Sequence, residues 1–215
     1  MTRPRVILAD DHTLVADGLR SLLEPHCELV DIVGDGRALL ESAERLRPDV
    51  ILLDISMPVL NGLEAAHRLK DLLPNSKVIF LTMHADLSYL KEAFRAGASG
   101  YLLKRSAASE LTHAISEVMR GRRYVTPLLS SPELEASFAG PLLDPPAQLG
   151  DLTPRQREVV QLAAEGRTAK EIAGVLSISV KTVEFHKARI MERLGLQTTS
   201  DLVKYAIAHG ITSLS

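Results

Sequence analysis

Residues 50–54 read Val50-Ile51-Leu52-Leu53-Asp54, a short apolar run closed by a carboxylate. An unbroken apolar run, rather than an alternating one, marks a strand buried on both faces, as in a parallel sheet covered by helices. Three further stretches repeat the pattern. Val6–Ala9 runs into Asp10-Asp11, Val78-Ile79-Phe80-Leu81 into Thr82, and Tyr101-Leu102-Leu103 into Lys104. In a parallel α/β sheet the carboxyl ends of the strands share one crevice, so these polar groups are expected to converge.

Helix-like segments separate these strands. His12–Leu23 carries Val15, Leu19, Leu22 and Leu23 at helical spacing. Leu29–Val33 reads as a further strand and Arg37–Leu46 as a helix. More helices are expected near Gly62–Leu73, Asp86–Ala96 and Ala107–Arg120. Five β/α repeats predict a doubly wound α/β fold with a five-stranded parallel sheet. Residues 125–150 differ in character: five prolines (127, 132, 141, 145 and 146) stand among Ser, Gly and Leu, favouring an extended linker. Its leucines and Phe138 leave room for partial docking. Beyond it, Thr153-Pro154-Arg155-Gln156 and Thr168-Ala169-Lys170-Glu171 are capping boxes, and Ser179 caps a helix from Val180 to Leu194. Ser200 or Asp201 opens a last helix ending at His209-Gly210. The expected division is residues 4–121, a linker at 122–147, and a small four-helix unit at 148–213.

Composition limits what such a chain does. No run approaches the roughly 20 apolar residues needed to cross a bilayer, and no secretory signal opens the chain. One cysteine, Cys27, excludes an intramolecular disulfide and a cysteine-based zinc site; it is expected to be a small buried residue. A cytoplasmic location follows as an expectation. Residues 1–124 hold 16 basic and 17 acidic side chains, and residues 151–215 hold 9 and 7. The C-terminal unit is therefore mildly basic, a weak footprint for nucleic acid that a dimer would double.

Three carboxylates, a hydroxyl and a lysine are the parts needed to hold a hard divalent cation and accept a phosphoryl group. An aspartate beside an anionic donor needs a cation to offset repulsion. Asp10 and Asp11 beside Asp54 require either that cation or a raised pKa. Lys104 supplies a point charge to a phosphoryl oxygen, and the Thr82 hydroxyl supplies a hydrogen bond.

With these residues in order, the strings Ala9-Asp10-Asp11, Leu53-Asp54-Ile55-Ser56-Met57-Pro58, Leu81-Thr82 and Gly100-Tyr101-Leu102-Leu103-Lys104 resemble the receiver domain of bacterial response regulators, a flavodoxin-like fold. The resemblance implies that Asp54 accepts a phosphoryl group from a sensor histidine kinase. It implies Mg²⁺ held by Asp11, Asp54 and the backbone carbonyl of Ser56, with Asp10 acting directly or through water. Thr82 and Tyr101 are the implied switch pair, and the first helix the kinase-facing surface. Two positions depart from the common pattern, Met83 after the threonine and Arg105 after the lysine. His84 is expected to be a loop histidine, solvated or able to tune the lifetime of the phosphorylated state.

In the C-terminal unit, Ser177-Ile178-Ser179 joins two helices, a helix-turn-helix at about residues 169–188 whose second member suits the major groove. Val183, Ile190 and Leu194 share one side of it. Lys181, Glu184, Phe185, Ala188 and Glu192 share the other. Phe185 suits a thymine methyl and Glu184 a cytosine amine. Lys181, Thr182, Lys187 and Arg189 are the phosphate candidates. The strings Leu152-Thr153-Pro154-Arg155-Gln156-Arg157-Glu158 and Lys181-Thr182-Val183-Glu184-Phe185-His186 resemble a LuxR-type helix-turn-helix domain. Together the two resemblances imply a transcriptional regulator of the NarL/FixJ type. Such a protein would bind promoter DNA as a dimer when phosphorylated and act with RNA polymerase. Leu202, Val203, Ala206 and Ile207 are dimer-contact candidates, the alternative being packing within the domain.

A magnesium-dependent phosphotransferase or phosphatase is the enzymatic rival. It is disfavoured because Ser56 stands two residues after Asp54 and no insertion is long enough to cap the site. Enzymatic activity is expected only as self-phosphorylation and self-dephosphorylation. A phosphorylation-independent DNA binder sits poorly with the intact acidic site. A small-molecule sensor sits poorly with so few aromatic residues.

Overall fold

A computed structural model describes residues 3–129 and 152–212. They fall into an N-terminal and a C-terminal unit, each considered by itself.

The N-terminal unit alternates β1 (Arg5–Ala9), α1 (Thr13–Leu23), β2 (Glu28–Val33), α2 (Gly36–Leu46), β3 (Val50–Leu53), α3 (Gly62–Leu72), β4 (Lys77–Thr82), α4 (Leu87–Arg95), β5 (Gly100–Leu103) and α5 (Ala107–Met119). The strands are parallel in the order β2-β1-β3-β4-β5, and a sixth, β6 (Tyr124–Val125), follows β5 at the edge. The order reverses at β1, which opens the crevice at the carboxyl ends of β1 and β3. Val6, Leu8, Val50, Leu52, Ile79, Leu81 and Leu102 pack with α1 and α5 in one core. The intervening Ile7, Ile51, Leu53, Phe80 and Tyr101 are equally buried, so both faces of the sheet are covered. Cys27 is buried in the α1–α5 core, as expected.

The sixth strand corrects the expected count of five. It arises from residues assigned to the linker. Tyr124 N–H donates to the Ser99 carbonyl at 3.1 Å and Thr126 N–H to that of Tyr101 at 2.9 Å. The Tyr124 and Thr126 hydroxyls both donate to Glu110 on α5, at 3.0 and 2.7 Å. The rest of the proline-rich stretch, residues 130–147 with Phe138, lies outside the described residues.

In the C-terminal unit the helices are α6 (Pro154–Ala164), α7 (Ala169–Leu176), α8 (Val180–Leu194) and α9 (Thr199–Ala208). Thr153 and Thr168 form complete capping boxes with Gln156 and Glu171, and Ser179 accepts from the Thr182 N–H. Gly195, in the left-handed region at φ 66°, ends α8. The last helix begins earlier than Ser200 or Asp201: Thr198 is its cap, in a third capping box closed by Asp201. Val159, Leu162, Ile172, Leu176, Val183, Ile190 and Leu202 form the core.

Candidate functional site

Asp10 follows β1, Asp54 follows β3, Thr82 closes β4 and Lys104 follows β5. The sheet brings them together as the strand ends require. Asp54 N–H donates to the Ala9 carbonyl at 2.9 Å, which ties the two acidic strand ends to each other. Lys104 Nζ lies 2.8 Å from Asp54 Oδ2 and 2.8 Å from Asp10 Oδ2. The first contact is a hydrogen bond. The second is a buried ion pair at the same distance, so one ammonium serves both carboxylates. Asp11 is exposed at the crevice mouth. Ser56, in the loop after β3, is half-buried, and its backbone N–H donates to the Asp54 carboxylate.

Three carboxylates facing one ammonium leave the pocket two charges short of neutrality, which fits a divalent cation and its preference for oxygen donors. Burial pushes the Asp54 carboxyl above the ordinary carboxylate range. Lys104 and the Ser56 N–H oppose the rise, and Asp10 adds to it. For Lys104, burial works to lower the pKa, but Asp54 and Asp10 outweigh it and hold the ammonium above its usual value. Buried carboxylate oxygens carrying an excess of negative charge make the pocket fit a divalent cation by chemistry.

Gly62 fixes the acceptor loop by close approach. It opens α3 with its N–H on the Ile55 carbonyl at 2.9 Å, and a Cβ there would stand 2.0 Å from the Asp54 carbonyl oxygen. Sequence reading placed this glycine only at the start of an expected helix.

Thr82 and Tyr101 are fully buried. The Thr82 hydroxyl accepts from the His84 N–H at 3.2 Å, and the Tyr101 hydroxyl donates to the His84 carbonyl at 2.9 Å. Both therefore grip the β4–α4 loop. His84 is not the solvated loop residue of the bland expectation. Its Nε2 lies 3.0 Å from Ser56 Oγ, and its ring stacks on Tyr89 with centroids 4.2 Å apart. Burial lowers its pKa, against the pull of Asp54. Met83 projects into solvent, and the bond before Arg105 is trans.

His12 was missed at this site. Its Nδ1 lies 2.9 Å from Asp11 Oδ1 and 3.3 Å from Asp10 Oδ1. The signal was adjacency to Asp11, obscured because His12 also reads as the start of a helix.

On α8, Val183 and Ile190 are buried and Leu194 packs partly against the core. Lys181, Glu184, Phe185, Ala188, Arg189 and Glu192 are exposed on the other side, with Thr182 and Lys187 half-buried. Phe185 is 58% exposed, and the Arg189 guanidinium stands over its ring at 6.0 Å. The Thr182 hydroxyl is bonded to the Ser179 cap at 2.8 Å, so its role is at least partly structural. Leu202 and Ala206 are buried in the unit's own core, which corrects their assignment as dimer contacts. Val203 and Ile207 remain half-exposed on α9.

Among the described residues no helix is long and apolar enough to cross a membrane. The family model for the response regulator receiver domain matches residues 6–116. That for bacterial regulatory proteins of the luxR family matches residues 151–206. The chain is 37% identical to the transcriptional regulatory protein MctR of Rhizobium johnstonii, over 97% of this chain and 95% of the relative. It is 35% identical to the oxygen regulatory protein NreC of Staphylococcus carnosus, over 94% and 96%. Among solved structures it is similar to the Salmonella typhimurium RcsB response regulator, with TM-score 0.64, 29% identity, and 97% and 99% coverage. A structure of two RcsB dimers bound to two parallel DNAs matches with TM-score 0.57 and 28% identity, covering 95% of this chain and 98% of that one.

Proposed function

Because the chain belongs to the response regulators that join a receiver domain to a LuxR-type DNA-binding domain, we propose that Asp54 is its phosphoacceptor and that phosphorylation there controls promoter binding through α8. The observation that carries the reading is the pairing of Lys104 Nζ with Asp54 and Asp10, each at 2.8 Å, at the converged strand ends.

A sensor histidine kinase is the donor. An Asp54 carboxylate oxygen attacks the phosphorus of the phosphohistidine, a P–O bond forms, the P–N bond breaks, and the imidazole departs with a proton. Asp10, Asp11, Asp54 and the Ser56 carbonyl would hold Mg²⁺, which when bound neutralises charge on the transferring oxygens. Lys104 turns from carboxylate to phosphoryl oxygen as a point charge. Thr82 donates its hydroxyl to a second phosphoryl oxygen and gives up the His84 N–H. Because Tyr101 holds the same loop through the His84 carbonyl, the loop and α4 respond together. Self-phosphorylation from small donors and self-dephosphorylation belong to the same chemistry.

The four-helix output domain spans about residues 148–213, after a receiver that starts near residue 4 and takes in β6 (Tyr124–Val125), with the linker following it. Lys181, Lys187 and Arg189 serve phosphates, with Thr182 beside them. Phe185, Glu184 and Ala188 face base edges. RcsB, whose dimers bind DNA, supports a dimeric complex, for which Val203 and Ile207 are the available α9 side chains. RNA polymerase and a cytoplasmic setting complete the reading.

The test is capture of fragmented genomic DNA on the full chain, with and without a beryllofluoride phosphoryl mimic, beside Asp54→Ala. Mimic-dependent enrichment of two-fold-related sites, lost in the variant, is the expected result. Equal enrichment in all samples refutes phosphorylation control.

A further inference from the structure

The residues that leave the receiver are tied to its switch pair through one carboxylate. β6 is two residues long, against about five or six for an ordinary strand, so its ladder alone holds it weakly. Glu110 on α5 makes up the difference. A single oxygen of its carboxylate, Oε2, accepts from the Tyr124 hydroxyl at 3.0 Å and from the Thr126 hydroxyl at 2.7 Å. Hydrogen bonds to a charged acceptor are roughly twice as strong as neutral ones. Burial, with Glu110 adding to it, pushes the Tyr124 hydroxyl well above its ordinary pKa, so it stays a donor. Thr126 is fully buried and marks the root of the linker: its carbonyl accepts from the Leu129 N–H at 2.9 Å, closing the short 3₁₀ turn Pro127–Leu129.

The same threonine reaches the switch. Its N–H donates to the Tyr101 carbonyl at 2.9 Å, the Tyr101 hydroxyl donates to the His84 carbonyl at 2.9 Å, and the His84 N–H donates to the Thr82 hydroxyl at 3.2 Å. Thr82, His84, Tyr101, Thr126 and Glu110 are thus one connected series, running from the phosphoacceptor crevice to the root of the linker. β5 stands between two unequal neighbours. It pairs with β4 at four positions, Gly100–Leu103, and with β6 at two, Gly100 and Tyr101. A displacement of the Tyr101 main chain therefore falls on the shorter ladder. Just upstream the chain is pinned, Arg122 by Glu117 and Arg123 over the Phe94 ring at 5.5 Å, so the movement emerges at Thr126.

We propose that Glu110 is a positioning residue of the switch: through Thr126 it holds β6 on the Tyr101 main chain in the unphosphorylated receiver, and phosphorylation loosens that strand at the root of the linker. The inference rests on Asp54 being the phosphoacceptor. When Thr82 turns its hydroxyl to the phosphoryl group it gives up the His84 N–H, the β4–α4 loop moves with Tyr101 attached, and β6 yields. Linkage is reciprocal: if the phosphoryl group favours an open β6, then opening β6 by other means favours the phosphoryl group.

The test uses the full-length chain with Mg²⁺ and beryllofluoride as the phosphoryl mimic, for wild type, Glu110→Ala, Thr126→Val and Asp54→Ala. Amide exchange is followed over residues 121–129, and mimic affinity by fluorine NMR titration. In wild type the mimic should speed exchange at residues 124–126 about tenfold. Glu110→Ala should speed it without the mimic and bind the mimic about fivefold tighter. Thr126→Val keeps the carboxylate, the side-chain volume and the main-chain N–H. It should shift both readouts the same way by a smaller factor, and it carries the test if Glu110→Ala does not fold. Faster exchange in the variants with unchanged mimic affinity makes Glu110 a structural staple and overturns the proposal. Asp54-dependent mimic binding that leaves β6 exchange unchanged, or slows it, also overturns it; the phosphoacceptor reading survives both results. Mimic binding that persists in Asp54→Ala, or no binding in any sample, overturns that reading and the inference with it.

Discussion

Replacing Gly62 by alanine should damage the phosphoacceptor although no acidic side chain changes. The added Cβ would stand 2.0 Å from the Asp54 carbonyl oxygen, 2.9 Å from its carbon and 3.1 Å from Ile55 Cα. Carbon and oxygen approach comfortably to about 3.3 Å, so one backbone must retreat by roughly 1 Å. Both sides of the clash are main chain, so a rotamer change cannot relieve it. Overpacking of this kind costs about 1–3 kcal/mol, and the upper end applies here. Alanine returns up to about 1 kcal/mol through helix propensity. The net loss is about 2 kcal/mol, or roughly 5–10 °C in the receiver melting temperature. A displacement near 1 Å at a reacting carboxylate is worth on the order of a hundredfold in rate. Phosphorylation by a small donor such as phosphoramidate, with no kinase interface involved, should slow by about that factor. Gly18 is the internal control. It lies on the exposed face of α1 with nothing within 4 Å of its would-be Cβ, so Gly18→Ala should stabilise by about 0.5–1 kcal/mol. If the two alanine variants melt and phosphorylate alike, the close-approach argument is wrong.

Lys104→Met leaves Asp10 and Asp54 buried without their shared ammonium. The metal-free protein should lose about 3 kcal/mol, and added Mg²⁺ should restore more stability than it adds to wild type; thermal melts with and without chelator check this. Asp54, raised by burial above its ordinary value of 3.8, contributes stability that is complete below that value and is lost as pH rises through its elevated pKa. Asp54→Asn should therefore gain stability relative to metal-free wild type as pH climbs from acid toward neutral; an unchanged difference across that window rejects the assignment. Lys181→Ala should weaken binding on all DNA sequences and reduce the salt slope by about one. Phe185→Ala should leave that slope intact and relax preference at one base pair, as binding titrations on a site library will show.

The acidic site was legible because each of its groups ends an apolar run, and a parallel sheet aligns such ends without help from distant residues. The caps at Thr153, Thr168 and Ser179 were legible because their hydrogen bonds span three residues. Apart from His12, which adjoins its partner Asp11, what escaped depends on separation along the chain. His84 meets Ser56 across 28 residues, and Tyr124 and Thr126 meet Glu110 across 14 and 16. A two-residue strand beside prolines carries no periodicity, so only its partners reveal it. Leu202 and Ala206 show the converse: an apolar stripe gives the face that is buried but does not say against what.

The short final strand also governs how copies of this receiver can meet. An open sheet edge invites another chain to add a strand, and parallel sheets with long bare edges are prone to uncontrolled association. Here the β5 edge is closed by two residues, held by the main chain at Ser99 and Tyr101 and by two hydroxyls on Glu110. So brief an edge offers almost no ladder to a newcomer. Pairing of receivers is thereby steered away from main-chain hydrogen bonds on that side and toward helix surfaces. Side chains there decide the fit, and association can remain weak and reversible.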